Sequence, residues 1–381
     1  MSFASQVITS ILDRINQKRI YVPNYFQSAF QKKVLISYIT NPFLNKIESN
    51  HSNNAEAIEI AKSFHEKGYQ VDIVRYNATF ENIKFKNDFY DVVFGLEPNF
   101  LKAIKKFNPK KSIYYATGAY YIFQNESEKM RLIDLQKRKG VLLNPRRYVE
   151  PHESAMLADA VICIGNEWTV STYKTHVRHI ERIPVSAHSC FSFDEIQSQK
   201  NWSIARKNFL WFGSAGAVHK GLDLLLEIFL RNPEIHLYVC GGVRDERDFF
   251  DLYEKELLHT KNIHFVDWIN PDSGEFKKNA TECAFTIIPS CSEGMSSSVV
   301  TCMQVGMVPL VSKECGLSVE SCGVVFDNSS IENIENEIIN YSKKDDLWLK
   351  EKSKKSYEFA QKNNTIENFT VRFSEALDKI I

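Results

Sequence analysis

The sequence lacks several features that would assign a chain to a specialised class of protein. Its 381 residues include eight cysteines but no C-x-x-C pair, no apolar run of about 18 residues, and no basic N-terminal segment followed by an apolar core. These absences argue against a zinc site, a membrane-spanning helix and a secretory signal. With 47 basic and 47 acidic residues, the formal net charge is zero and argues neither for nor against a nucleic-acid partner. Cys163 and Cys240 lie in apolar runs, which is typical of a reduced, cytoplasmic protein.

What the sequence does contain is a regular alternation of strand-like and helix-like segments. Hydrophobic residues make up 44% of the chain, enough for the cores of two soluble domains. Alternation of this kind predicts parallel sheets covered by helices on both faces. The predicted strands are 34–39, 71–76, 90–96, 112–118 and 159–165 in the first half, and 209–213, 236–242, 263–269, 285–290, 308–312 and 324–326 in the second.

A polar segment without periodicity, residues 191–208, reads as a linker between the two halves. We therefore predict two facing Rossmann-like domains, over residues 1–190 and 191–364, and a C-terminal helix over 365–381 that packs back on the first domain. Residues 1–31 are predicted to form a helical extension. Its apolar face is expected to pack on the protein body rather than on lipid, and it consists of Ile8, Ile11, Leu12 and Ile15.

Two corners between a strand and a helix carry small or charged residues. The first is EGMSSS, which begins at Glu293 and follows the strand-like FTIIPS. Parallel sheets bind ligands at the carboxyl ends of their strands, and the backbone N–H groups at a helix N-terminus suit a phosphate. Gly294 permits a turn or a close ligand approach. The alternative is that one serine only caps a core helix.

The second corner is GSAGAVHKG, which follows FLWFG and precedes a leucine-rich helix. Lys220 lies at the start of that helix, where the helix dipole disfavours a positive charge, and a bound anion would remove the conflict. The alternative is a surface lysine whose stem covers apolar neighbours. The loop has the spacing of neither a Walker A loop nor a G-x-G-x-x-G fingerprint.

Together the two corners resemble the second domain of glycosyltransferase family 4. That family has a glycine-rich loop ending in Lys-Gly and a Pro-Ser-x-x-Glu-Gly segment that opens an E-x7-E motif. The corresponding stretches here are GSAGAVHKGLDLLLE and PSCSEGMSSSVVT. The resemblance is strong from about residue 208 to 312 and looser over the first half, where it includes ADAVICIGNEWTVSTY. It implies a GT-B fold with a cleft between two domains, and transfer of a sugar from a nucleotide diphosphate sugar, with retention, to a glycan, lipid-linked or small-molecule acceptor.

The resemblance also implies roles for individual residues. Glu293 would accept hydrogen bonds from donor-sugar hydroxyls, and Lys220 would neutralise the leaving phosphate. The second glutamate of the motif falls at Thr301 and the motif arginine at Ala215, or at Ser214 if the gap shifts, so a ribose contact and a phosphate-binding cation are missing. The implied donor site comprises Gly213, Ser214, Gly216, Lys220, Gly241, Trp268, Ile269, Glu293, Gly294, Met295, Ser296, Ser297, Ser298 and Thr301. For Trp268 an ordinary core position is nearly as good an interpretation.

In the first half, the loops that follow predicted strands are the candidate acceptor site, although each also reads as a plain turn. No D-x-D triplet occurs, so neither a metal nor another cofactor is expected. None of the ten histidines lies in a pattern that identifies a catalytic base, which is consistent with retention. Two other functions stay open: a non-hydrolysing nucleotide-sugar epimerase and a non-catalytic GT-B partner subunit. The candidate acceptor residues are Asn41, Pro42, Thr117, Gly118 and Tyr120.

The segment from Lys102 to Arg147 has twelve basic residues against three acidic ones. Such a patch could attract anionic lipid or a lipid-linked acceptor and bring a cytoplasmic protein to the inner face of a membrane. The alternative is a solvated face balanced by acidic segments elsewhere. Nucleic acid is a poorer interpretation because no recognised nucleic-acid module accompanies the charge.

Overall fold

The computed structural model of the protein describes residues 19–44, 52–187 and 189–381. The predicted apolar face formed by Ile8, Ile11, Leu12 and Ile15 lies outside these residues. Within them the chain forms two α/β domains, each built on one largely parallel sheet with helices on its faces. This is the predicted fold class, and it follows from strands whose buried residues are almost continuous, as in VLISY of the first sheet.

The first sheet has seven strands in the order β1-β3-β2-β4-β5-β6-β7, all parallel except for β1, which pairs antiparallel with β3. Its strands are β1 (Tyr21–Val22), β2 (Lys32–Tyr38), β3 (Tyr69–Arg75), β4 (Val92–Gly95), β5 (Lys111–Ala116), β6 (Ala160–Ile164) and β7 (Ile180–Ile183). The helices of this domain are α1 (Ser52–Glu66), α2 (Asn99–Phe107), α3 (Tyr121–Lys139), α4 (Ser154–Leu157) and α5 (Glu167–Ser171), with 3-10 turns at Asn41–Phe43 and Phe80–Asn82.

The second sheet has six parallel strands in the order β10-β9-β8-β11-β12-β13. Its strands are β8 (Asn208–Phe212), β9 (His236–Cys240), β10 (Ile263–Asp267), β11 (Phe285–Ile288), β12 (Val308–Ser312) and β13 (Val324–Phe326). Its helices are α6 (Phe193–Gln199), α7 (Trp202–Ala205), α8 (Leu222–Arg231), α9 (Arg247–His259), α10 (Gly274–Glu282), α11 (Ser297–Met303), α12 (Ile331–Ser342) and α13 (Asp346–Asn363), with 3-10 turns at Val243–Asp245 and Lys313–Cys315.

The structure corrects three features predicted from the sequence. Residues 21–31 of the predicted helical extension are not helical, because Tyr21–Val22 pair with β3 as an edge strand. The segment 191–208 is not an irregular linker, because it contains α6 and α7. Ser192 caps α6 by accepting a hydrogen bond from the Glu195 amide at 3.2 Å, and Ile196 is fully buried. Strands β1 and β7 were not predicted. They are edge strands of two and four residues, too short to show a periodic pattern.

The C-terminal helix α14 (Ile366–Ile380) packs on the first domain. Phe373 lies edge-on to Phe64 of α1 and Phe94 of β4, with ring centroids 6.1 and 5.6 Å apart. Lys379 pairs with Glu181 of β7 at 2.7 Å. The chain therefore crosses between the two domains twice, near residues 184–192 and again near Asn364. Of the helices that the structure describes, none has the length and apolar character needed to cross a membrane.

Candidate active site

The strand order of the second sheet creates a switch point between β8 and β11. These strands are neighbours, but the connection after β8 leads towards β9 on one side and the connection after β11 leads towards β12 on the other. Loops that diverge in this way leave a crevice at the carboxyl ends of the strands, where α/β proteins bind ligands. Lys220 lies in the loop that leaves β8, and Glu293 lies in the loop that leaves β11. The two predicted catalytic residues are thus brought to one place.

Lys220 and Glu293 form a direct ion pair, with the Lys220 Nζ donating to Glu293 Oε1. The side chains are 6% and 10% exposed, so the surface-lysine interpretation of Lys220 is excluded. Ser290 Oγ also donates to Glu293 Oε1, at 3.2 Å. Burial by itself would raise the pKa of the Glu293 carboxyl, but the positive charges of Lys220 and Arg147 lower it to about 2. Glu293 is therefore ionised at neutral pH, and its carboxylate supplies the anion that Lys220 needs at the start of α8.

His219 links the loop after β8 to the loop after β11 through hydrogen bonds. Its carbonyl accepts from the Cys291 amide at 2.8 Å, and its ring Nε2 contacts the Ser292 carbonyl. Burial lowers the pKa of His219 to about 4, so the ring is neutral at neutral pH and Nε2 carries the proton donated to Ser292. The other ring nitrogen, Nδ1, lies 3.8 Å from Glu128 Oε1 of the first domain. A neutral, buried histidine in this position fixes the spacing between Lys220 and Glu293.

The first domain touches the Glu293 corner directly. A Cβ atom added to Gly294 would lie 2.5 Å from the Thr117 carbonyl oxygen and 2.9 Å from that of Ile164, so only glycine permits the contact. Thr169 Oγ1 of α5 donates to the Gly294 carbonyl at 2.7 Å. The predicted donor corner and Thr117, a predicted acceptor residue, therefore meet where the carboxyl ends of both sheets face each other.

The serines after Gly294 surround the start of α11. Ser296 occupies the N-cap position, but its side chain makes no capping hydrogen bond and instead lies 3.3 Å from the Ser298 hydroxyl. Its amide donates to the Cys315 carbonyl at 3.0 Å, so that N–H is already engaged. Ser297 and Ser298 are partly exposed and lie in the first turn, where amides lack partners within the helix. Those two amides are available to a phosphate.

Two other predicted donor residues near this helix turn away from the corner. Met295 points towards the crossing between the domains, where its sulfur accepts from the Val185 amide at 3.4 Å and from Asn364 Nδ2 at 3.3 Å. The Thr301 side chain is 9% exposed, and its hydroxyl donates to the Ser297 carbonyl at 3.0 Å. A hydroxyl that is already donating to the backbone can only accept a further hydrogen bond.

The remaining predicted donor residues lie at the carboxyl ends of β8, β9 and β10. Gly213 and Gly241 approach so closely that a Cβ on Gly241 would lie 2.6 Å from the Gly213 carbonyl oxygen. Beside them Ile269 is buried, whereas Trp268 is 67% exposed and is not a core residue. Ser214 is exposed.

The loop that contains Gly216 holds a carboxylate on its backbone. The Gly216 amide donates to Glu246 Oε1 at 2.5 Å, and the Ala217 amide donates to both oxygens of that carboxylate at 3.1 Å. Burial raises the pKa of the Glu246 carboxyl, and these two hydrogen bonds limit the rise. The Gly216 amide is therefore engaged within the protein.

Three of the five predicted acceptor residues line a cavity of about 290 Å³ in the first domain. They are Thr117, Gly118 and Tyr120, which follow β5. His152 and Glu97 line the same cavity, with His152 Nε2 3.2 Å from Glu97 Oε1. Asn41 and Pro42 are not part of this cavity; they form the 3-10 turn after β2.

The basic segment from Lys102 to Arg147 is partly used to hold the domains together. Arg138 pairs with Asp223 at 2.5 Å and contacts Glu227, both on α8, and Arg146 contacts Asp248 on α9. Arg131 is buried and donates to the Pro289 carbonyl at 3.1 Å. Acidic residues of the second domain therefore balance part of this positive charge. The alternative interpretation, a solvated face balanced by acidic segments elsewhere, thus holds for part of the segment.

Sequence reasoning missed the residues that connect the two domains at the corner. Thr169 lies inside ADAVICIGNEWTVSTY, but the resemblance implies no role for it, and no histidine pattern indicates His219. Arg147 was counted only as part of a basic patch. These roles depend on contacts between residues more than 60 positions apart, and a spacing pattern carries no such information.

Comparison with known proteins agrees with this arrangement. Residues 193–363 match the family model described as Glycosyl transferases group 1. No curated protein sequence matches the chain. The second domain is thus a glycosyltransferase domain. The narrower assignment to family 4 stays a prediction.

Solved structures share the complete two-domain arrangement. Sucrose-phosphate synthase from Thermosynechococcus elongatus superposes with a TM-score of 0.65 at 15% identity, covering 92% of this chain and 98% of that one. Anabaena HepE in complex with UDP gives a TM-score of 0.59 at 11% identity, covering 92% and 100%. WaaG, a glycosyltransferase involved in lipopolysaccharide biosynthesis, gives 0.54 at 14%, covering 91% and 99%. At these identities the likeness establishes the fold, which is GT-B.

Proposed function

We propose that the protein transfers a sugar from a nucleotide diphosphate sugar to a glycan, lipid-linked or small-molecule acceptor, as a retaining enzyme of family 4 in polysaccharide or glycoconjugate biosynthesis. The observation that carries the proposal is the buried Lys220–Glu293 ion pair at the switch point of the second sheet, next to Thr117 of the first domain. The UDP complex of HepE, a protein of the same fold, supports a nucleotide donor.

The two side chains keep hydrogen-bonding capacity beyond their mutual contact. An ammonium group has three donors, so Lys220 can contact Glu293 and still donate to a phosphate oxygen. A carboxylate has about four lone-pair sites, so Glu293 can accept from sugar hydroxyls while it holds Lys220. As the bond to the leaving diphosphate breaks, negative charge grows on the phosphate oxygen, and a cation held in a water-poor site stabilises that charge.

The first domain would bind the acceptor. The cavity lined by Thr117, Gly118 and Tyr120 lies beside the contact with Gly294, so an acceptor hydroxyl bound there would be close to the donor sugar. In a retaining reaction the leaving phosphate takes the acceptor proton, and no histidine is required as a base. We propose that no metal or other cofactor takes part, because Lys220 and Arg147 give the corner its positive potential.

We further propose a cytoplasmic location, with contact to the inner face of a membrane through the basic segment 102–147. The surface available for that contact is smaller than the sequence indicated, because Arg138 and Arg146 pair with the second domain. The exposed lysines of the segment would make it: Lys102, Lys105, Lys106, Lys110, Lys129 and Lys137.

A panel of nucleotide diphosphate sugars tests the proposal by thermal shift. A donor present at about 100 times its Kd should stabilise the fold by about 2.7 kcal/mol. The donor that binds is then incubated with candidate acceptors, and the anomeric configuration of the product is read by NMR. Release of nucleoside diphosphate together with a retained glycoside supports the proposal. An epimerised donor without released nucleotide would identify an epimerase instead, and no stabilisation by any donor would contradict nucleotide-sugar binding.

A further inference from the structure

Arg147 reaches from the first domain into the second at the loop that precedes Lys220. A Cβ atom added to Gly216 would lie 2.9 Å from Arg147 Cγ and 3.3 Å from Cδ, so the arginine stem runs directly over this glycine. Gly216 has φ +95°, a backbone conformation that residues other than glycine rarely adopt. The loop is thus shaped so that a side chain from the other domain can cross it.

The backbone of Arg147 is held firmly. Its amide donates to both carboxylate oxygens of the buried Glu128, at 3.0 and 3.2 Å, and the Arg146 amide donates to Oε1 at 3.0 Å. Gln124 donates to the Arg147 carbonyl at 2.5 Å. Both Glu128 and Gln124 project from α3, so this helix fixes where the arginine side chain starts.

The guanidinium group lies within electrostatic reach of the ion pair. Its charge contributes to the lowered pKa values of Glu293 and His219, and Arg147 lines the cavity that contains Thr117 and Gly118. Within residues 19–44, 52–187 and 189–381 no carboxylate pairs with this guanidinium. Its neighbour Arg146, by contrast, is neutralised by Asp248. Arg147 is therefore a placed cation whose charge is not cancelled by a direct partner.

The charges of the residues around Arg147 indicate which kind of ligand it binds. Lys220 and Glu293 cancel each other, and His219 is neutral at neutral pH. The second domain thus offers a diphosphate the free donors of Lys220 and the amides at the start of α11, but its cation at this corner is already paired with a carboxylate. A guanidinium presents paired N–H donors that match phosphate oxygens, and it does not lose its proton.

We propose that Arg147 binds the diphosphate of the nucleotide from the opposite side of the cleft, so that the first domain completes the donor site of the second. This inference rests on the proposed function.

The test compares wild type, Arg147→Gln and Arg146→Gln as full-length proteins. Affinities for UDP, GDP and ADP are measured by calorimetry, together with those for the matching monophosphates. For the diphosphate that wild type binds, Arg147→Gln should weaken binding about tenfold or more and should lower the preference for diphosphate over monophosphate. Arg146→Gln removes a positive charge and an interdomain contact from the same loop, and should change the affinity by less than about threefold.

A rescue variant separates a phosphate contact from a structural role. Ala215 is exposed and adjacent to Gly216, so an arginine there would approach the same place from the second domain. Ala215→Arg combined with Arg147→Gln should recover most of the lost diphosphate affinity. Equal diphosphate affinity in wild type and Arg147→Gln, or an equal loss of monophosphate binding, would overturn the inference while leaving the proposed function in place. If wild type binds no nucleotide at all, it is the proposed function that fails.

Discussion

Lys220 and Glu293 are 73 residues apart in the chain, yet their charged groups meet in a nearly buried ion pair between two loops of the same sheet edge. The resemblance implies a separate ligand contact for each residue: Glu293 with the donor sugar and Lys220 with the leaving phosphate. Their direct contact makes them a single electrostatic unit. Changing one partner alone leaves the other as an uncompensated charge in a site with little water.

Glu293→Gln should therefore affect both activity and stability. We expect a loss in kcat/KM of about 10²-fold or more, because a charge-assisted contact to the reacting sugar is removed. We also expect a loss of about 3 kcal/mol in the free energy of unfolding, since Lys220 loses its partner.

The double variant Lys220→Met, Glu293→Gln is the control for that result. It should recover part of the stability, because no unpaired charge remains, but none of the activity. Urea denaturation and initial rates measure the two effects separately. Near-normal sugar transfer by Glu293→Gln would remove this residue from the active site.

Thr301 should give only weak discrimination at the ribose. Its hydroxyl already donates to the Ser297 carbonyl, so it can only accept a hydrogen bond, and a neutral hydrogen bond contributes about 0.5–1.5 kcal/mol. Wild type should therefore prefer a ribose donor over its 2′-deoxy form by no more than about tenfold in kcat/KM. Thr301→Val should lower that ratio towards one, because valine offers no acceptor, and Thr301→Glu should raise it if the pocket accommodates the longer side chain. Discrimination of about a thousandfold would mean that another residue holds the ribose.

We predict that Trp268 contacts the nucleotide base, since the donor site implied by the resemblance includes it. It is 67% exposed at the carboxyl end of β10, next to Gly241, so its indole is accessible to a ligand. Trp268→Ala should weaken nucleotide binding by roughly two- to tenfold, the range expected for one aromatic contact. Its unfolding free energy should change by less than about 0.5 kcal/mol because the side chain is not in the core. Titration of the intrinsic fluorescence with nucleotide provides the readout, and unchanged affinity would place the base elsewhere.

His219 should make the fold sensitive to mild acid. Burial lowers the pKa of His219 from 6.5 to about 4 in the folded protein, so between these values the unfolded chain binds a proton that the folded chain does not. Stability consequently falls as the pH is lowered through this window, by about 2 kcal/mol between about pH 7 and about pH 5. Glu293 does not contribute there, because its folded pKa of about 2 lies below its ordinary value and matters only in stronger acid.

His219→Gln provides the comparison, since its side-chain amide can still donate to Ser292 and does not titrate. The variant should lose less stability over the same pH interval, as measured by urea denaturation at each pH. Parallel pH profiles for the two proteins would show that His219 is not the group responsible.

Sugar transfer should not depend on a divalent metal. Lys220, with Arg147 as the proposed second cation, offers positive charge to the leaving phosphate without one. Activity after exhaustive chelation should equal that of untreated enzyme to within about twofold. A complete loss that magnesium or manganese restores would show that the leaving group is stabilised by an ion instead.

The sequence by itself determined the two α/β domains, most of their strands, and the two corners that carry Lys220 and Glu293. These depend on local information: apolar runs of strand length, helical periodicity, and small residues at the carboxyl ends of strands. The sequence did not predict the edge strands β1 and β7, because two to four residues are too few to show a periodic pattern.

Only the tertiary structure decided which side chains share the site. The strand order brings the loops after β8 and β11 together, and packing of the domains brings Thr117, Thr169 and Arg147 against them. It also showed that the Ser296 amide and the Thr301 hydroxyl are already engaged within the protein. Burial and contacts between residues far apart in the chain decide which hydrogen-bonding groups remain available to a ligand. The spacing of residues in a motif contains no information about either.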